Sequence, residues 1–169
     1  MEILRYPHES LKRPTEPVEE ITSEVLDDIA EMREFLSKTR HGAGLAANQV
    51  GINRSMFITQ DKVFINPEIV EYNGRQTSKE GCLSFPGIYA TIERPDRCTV
   101  RASLPDGSEI EREFEGFTSR VIQHEYDHLE GVLLVDRMTP ADKLGNRAAL
   151  EELVEDYRER RKKLARKPS

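Results

Sequence analysis

His124-Glu125-Tyr126-Asp127-His128 sets two imidazoles four residues apart, with a carboxylate directly after the first. On a helix each residue turns by about 100°, so His124 and His128 leave nearly the same face one turn apart. Their ring nitrogens can then meet on one metal ion, while Glu125 points to the side, near a water bound there. Two nitrogen ligands and a general base make the layout for metal-assisted hydrolysis. Zn²⁺ and Fe²⁺ both accept two imidazoles, and the spacing does not choose between them. A histidine pair can also be surface decoration, but the intervening Glu and the helical setting argue against that here.

Such a site needs a third protein ligand, and two segments compete for it. Glu151 and Glu152 lie about where a thermolysin-like protease has its downstream glutamate. Cys82, in Glu80-Gly81-Cys82-Leu83-Ser84, lies upstream. Its thiolate would be the stronger, softer ligand, deprotonated by the metal itself. Gly81 lets the backbone pass close to another group. As a small buried hydrophobe Cys82 would do no chemistry, so on these grounds the contest is even. Gly42-Ala43-Gly44-Leu45-Ala46-Ala47-Asn48-Gln49 adds a third segment. Its plain reading is a flexible turn opening a small-residue core segment. Its chemical reading is that glycine admits a substrate backbone and Gln49 offers an amide donor to a developing oxyanion.

The elements that must position these residues are legible in outline. Thr22 can cap a helix whose apolar stripe is Val25, Leu26, Ile29, Met32 and Leu36. Before it, residues 8–21 carry Pro14 and Pro17 and read as an irregular lead-in. Short β-type runs follow: Met56 to Ile58, Val63 to Ile65, Ile69-Val70, Cys98 to Val100 and Glu109 to Phe114. Asn73-Gly74 and Asp106-Gly107 suit hairpin turns between them. A helix from about Phe117 to Leu129 carries the histidines, and Gly131 is placed to end it. After Thr139-Pro140 comes a further helix with Leu144, Ala148, Leu150, Leu153, Val154 and Tyr157 in an incomplete stripe. This order predicts an α+β fold with largely antiparallel β-sheet, a metal-binding helix, an N-terminal helix and a C-terminal helix.

With 169 residues the chain can build one domain around a real core. Residues 1–140 are expected to form the catalytic unit and 141–169 a helical extension of the same domain. The net charge of −6 argues against a nucleic-acid-binding surface overall, and hence against specific DNA binding. No apolar run approaches the roughly 20 residues that span a bilayer, and the N-terminus has neither a secretory nor a transit pattern. Cys82 and Cys98 could pair, but nothing else points to an oxidising compartment, so a cytoplasmic location is expected.

Taken together, Gly42 to Gln49, Glu80 to Ser84 and Gln123 to His128 resemble the three signature segments of the peptide deformylase family. The similarity runs from Tyr6-Pro7 to about Asp136-Arg137, most of the chain. It implies antiparallel strands around the motif helix, and a hydrolase that takes the formyl group from the N-terminal formyl-methionine of new polypeptides as formate. It implies one ion per chain, Fe²⁺ in the cell, with Zn²⁺, Ni²⁺ or Co²⁺ able to substitute. Carried over residue by residue, Cys82, His124 and His128 match the ligands and Glu125 the general base and acid. Gln49 and the backbone N–H of Leu83 match the oxyanion donors, and Gly44 a backbone contact to the substrate. Glu80 and Arg94 match an ion pair behind the ligands. Tyr89 stands where some members have an arginine that touches substrate. Phe117 and Val121 are candidate walls for a methionine pocket, with core packing as the alternative. The basic end, Arg158 to Lys167, would then be a candidate contact to the ribosome, or simply a solvated helix end. Two other classes compete: a zinc protease using the downstream glutamate, and a non-catalytic metal-stabilised module.

Overall fold

The computed structural model describes residues 1–166. Helix α1 (Ser23–Ser37) is followed by strands β1 (Gly44–Ala46), β2 (Met56–Thr59), β3 (Val63–Asn73), β4 (Gln76–Cys82), β5 (Phe85–Arg94), β6 (Arg97–Ser103) and β7 (Glu109–Glu115). Helices α2 (Gly116–Leu129), α3 (Leu134–Arg137), α4 (Pro140–Gly145) and α5 (Arg147–Arg166) complete the described chain. All strand pairs are antiparallel, in one sheet ordered β1-β2-β3-β6-β7 and a second made of β4 and β5. The expected α+β architecture is therefore present.

Helix α1 starts where Thr22 accepts a hydrogen bond from the Val25 amide at 3.3 Å, a cap worth about 1 kcal/mol. Val25, Ile29, Met32 and Leu36 are buried against β1 and β2. Leu26 is not part of that stripe: it lies about 100° round the helix from Val25 and is 42% exposed. Nor does Asn73-Gly74 close a hairpin. β3 pairs with β6, Asn73 facing Arg97, so the chain turns out of the large sheet there and returns only after the β4–β5 hairpin. Asp106-Gly107 does close one, between β6 and β7.

Helix α2 rests on the large sheet through Ile122 and Leu129, which join Ala46, Phe57, Phe64, Val100 and Phe114 in one buried cluster. Its opposite side meets β4 and β5 through charged groups. Most of its buried residues are polar: Ser119, Arg120, Gln123, Glu125, Asp127 and His128. A helix so polar can be buried only if its neighbours supply partners, and the second sheet supplies them. Gly131, with φ +75°, ends the helix as expected. A Cβ there would lie 2.6 Å from the Lys12 carbonyl, so glycine is also required for the lead-in segment to pass.

Leu153 of α5 packs with Phe85, Ile88, Ala90 and Ile92 behind the second sheet. The expected C-terminal stripe is shorter than its pattern: the helix breaks at Asn146, and Leu144 is 71% exposed. Cys82 and Cys98 are free thiols, the latter buried and 3.3 Å from the Ser119 hydroxyl. Among the described residues no helix is long and apolar enough to cross a membrane.

Candidate active site

Cys82 ends β4, and His124 and His128 stand one turn apart on α2, so strand and helix meet at three donors. Their ligating atoms all lie within 4.8 Å of one another. Cys82 Sγ is 3.3 Å from His128 Nε2, close to the S···N edge of about 3.6 Å in a tetrahedral zinc-type site. One sulfur and two imidazole nitrogens form a set that fits Zn²⁺ or Fe²⁺. Burial, with the charges of His124 and Arg94, holds His128 well below the ordinary imidazole range. It therefore offers a neutral lone pair. Burial would also lower His124, yet Cys82 and Glu80 hold it well above that range.

Glu80 explains much of that. Its Oε1 accepts from His124 Nδ1 and from Arg94, both at 3.0 Å. Its Oε2 accepts from Arg94 Nε at 2.6 Å and from Arg120. Burial pushes this carboxyl up, but the hydrogen bonds from His124 and Arg94 bring it down to about 2. A carboxylate with every oxygen engaged accepts only, so His124 carries its proton on Nδ1 and turns Nε2 towards the other candidate ligands. The pair with Arg94 is thus no surface salt bridge. Arg94 continues to Asp127 at 3.0 Å, and Asp127 to Arg137 at 2.8 Å.

Arg120 and Asp127 escaped the sequence reading. Their signal was present: with His124 they fall at i, i+4 and i+7, one face of α2. That face carries charges where a core helix should be apolar.

Glu125 is 4% exposed, and its Oε1 has no hydrogen-bond partner. Burial pushes its carboxyl up to about 7, against the pull of His124 and Arg94. Its side chain lies against Gly44, where a Cβ would come within 2.7 Å of Oε2. Gln49, also buried, receives the Ala46 amide on its carbonyl at 3.0 Å. Its amide nitrogen donates to Ser84 Oγ at 3.1 Å and lies 3.8 Å from Cys82 Sγ. The Gln49 amide nitrogen thus serves Ser84 and faces the cysteine as well.

Gly44, Gln49, Cys82, His124 and Glu125 line a cleft of about 440 Å³, together with Leu83, Tyr89, Phe117 and Val121. Phe117 is 72% exposed and Tyr89 56%, so neither is a core residue. Glu151 is exposed, pairs with Arg147, and like Glu152 does not line the cleft. The downstream-glutamate protease is thus without its ligand.

A cysteine and two histidines gathered beside a buried carboxylate, and framed by antiparallel sheets, define the class as a metal-dependent hydrolase. Residues 1–144 match the model of the polypeptide deformylase family. The peptide deformylase of Aquifex aeolicus is 43% identical over 147 residues, 81% of this chain and 86% of that protein. Among solved structures, an inhibitor complex of Plasmodium falciparum peptide deformylase superposes with a TM-score of 0.87 at 35% identity, over 91% of this chain and 99% of that one. The enzyme of Legionella pneumophila gives 0.83 at 34% identity, over 99% and 98%. The chain belongs to the polypeptide deformylase family, metal-dependent hydrolases that remove the N-terminal formyl group from nascent polypeptides.

Proposed function

We propose that Glu125 is the proton carrier of this hydrolysis and that Cys82, His124 and His128 hold one divalent ion per chain, Fe²⁺ in the cell. The observation that carries the proposal is the placement of a buried, unpartnered Glu125 carboxylate, with its pKa raised to about 7, beside the three converging donors. Such an ion, when bound, supplies Lewis acidity: it acidifies water and polarises a carbonyl.

The rest is the work of this chain's own groups. Glu125 takes a proton from water as the water oxygen bonds to the formyl carbon. Gln49 Nε2 and the Leu83 backbone N–H donate to the carbonyl oxygen as negative charge gathers there. Glu125 then passes its proton to the amine nitrogen, the C–N bond breaks, and formate leaves with a free methionine amine behind. Glu80 and Arg94 fix the ring of His124 throughout. Gly44 contributes a backbone contact to the peptide, Phe117 and Val121 wall the methionine side chain, and Tyr89 flanks the residues that follow.

Residues 1–140 carry this chemistry, and 141–169 extend the same domain. The enzyme works in the cytoplasm on chains still at the ribosome. Arg158, Arg160, Arg161, Lys162, Lys163 and Arg166 are exposed on α5 and suit phosphate contacts that weaken steeply with salt. Lys167, the last residue of the basic run, lies outside the described residues. Unchanged ribosome binding at low salt after removal of residues 158–169 would exclude this docking.

The experiment is formate release from a formyl-Met peptide, with an unformylated peptide as control, after anaerobic loading with Fe²⁺ or Zn²⁺. Formate from the first and no peptide-bond cleavage in the second is expected. Cys82→Ser should lose metal and activity together. A variant that keeps both would contradict the ligand set.

A further inference from the structure

The exposed charge at the mouth of the cleft is all of one sign. Two carboxylates line the cleft, Glu80 and Glu125, and both are buried. Glu80 is already engaged by Arg94, Arg120 and His124. The exposed basic side chains that line it are Arg40 and His41, which follow α1, and Lys79 on β4. The ion pairs among the described residues leave Arg40 and Lys79 without a carboxylate. Lys79 Nζ stands 5.2 Å over the ring of Tyr89, which holds its charge at the rim. The whole chain carries −6, so this patch is opposite in sign to the net charge of the protein.

With the formyl group and methionine inside, as the function proposed above requires, the second and third residues of the nascent chain cross this mouth. We infer that Lys79 and Arg40, with His41, determine specificity: they favour formylated chains with Asp or Glu at those positions over chains with Lys or Arg. Each exposed contact changes binding by no more than about fivefold. Two acting together give a spread of about tenfold at low salt, and screening removes most of it at high salt. A rim of cations also speeds encounter with an acidic chain, so the effect falls on kcat/KM.

The test compares C-terminally amidated formyl-Met-Glu-Glu, formyl-Met-Ala-Ala and formyl-Met-Lys-Lys peptides at about 20 mM and 500 mM salt, a range that shortens the screening length several-fold. The expected order of kcat/KM at low salt is Glu, Ala, Lys, converging at high salt. Lys79→Glu or Arg40→Glu should shrink or invert the spread, with each variant's Ala-Ala rate as its own reference. A Lys-Lys peptide cleaved as fast as the Glu-Glu peptide overturns the inference, as does a spread that neither substitution changes. Absence of formate from all three peptides would instead contradict the deformylase activity itself.

Discussion

The Glu125 carboxylate lies so close to Gly44 that any side chain on that residue would meet it: a Cβ would sit 2.7 Å from Oε2 and 2.9 Å from Cγ. The glycine of the first signature segment therefore makes room for Glu125 of the third, the proposed general base, in addition to any contact it makes with substrate. Gly44→Ala should push Glu125 from its position while leaving Cys82, His124 and His128 in place. A loss of about 10²-fold in kcat/KM, with metal content unchanged, is expected. Equal activity in the alanine variant would mean that the carboxylate can move aside without consequence.

A buried acid with a raised pKa has a cost that can be measured in the metal-free protein. Glu125 ionises near 4.5 when unfolded and at about 7 when folded. Below the first value both states are protonated and the group is neutral to stability. Between the two, the unfolded state gains by ionising, so stability falls as pH rises, by a few kcal/mol in all. Chelator-treated Glu125→Gln should thus be more stable than the parent at pH 8 and about equal to it at pH 4. Denaturant melts at the two pH values decide this, and a difference that does not depend on pH would contradict it.

Glu80 predicts the opposite slope. Its pKa, about 2 against 4.5 when unfolded, gives stability that is complete above 4.5 and lost as pH falls towards 2. Glu80→Gln should flatten the acid side of the stability profile. If acid unfolding keeps the same midpoint in the variant, the carboxylate is not the group being protonated.

Arg120 donates to Glu80, whose other oxygen receives the His124 proton. Arg120→Met removes one donor and keeps most of the volume. A loss of metal affinity of about tenfold is expected, measured by competition with a chelator, with Arg120→Lys recovering part of it. Unaltered affinity in both variants would reduce Arg120 to packing.

How much of this could be read in the residues depended on whether the pattern was local. The histidines and Glu125 lie within one helical turn, and their periodicity alone puts two of them on one face. Cys82 and Gln49 were recognisable only through their signature segments, because nothing near them says what they meet. The second sheet was not legible at all. In β5 the buried residues Phe85, Ile88, Ala90 and Ile92 would alternate, but Pro86 and Gly87 displace the first step, and β4 is almost wholly exposed and polar. Arg120 was passed over for a related reason. Burying a guanidinium requires Glu80, forty residues away in sequence, and no local rule anticipates a partner at that distance.

The central claim is that Glu125 moves the proton while other residues hold the metal. Glu125→Gln, loaded with metal and given a formyl-Met peptide, tests it most directly through paired measurements of metal content and formate release. The account predicts full metal content and a rate lower by at least about 10²-fold. Full metal content with a rate near that of the parent would contradict it.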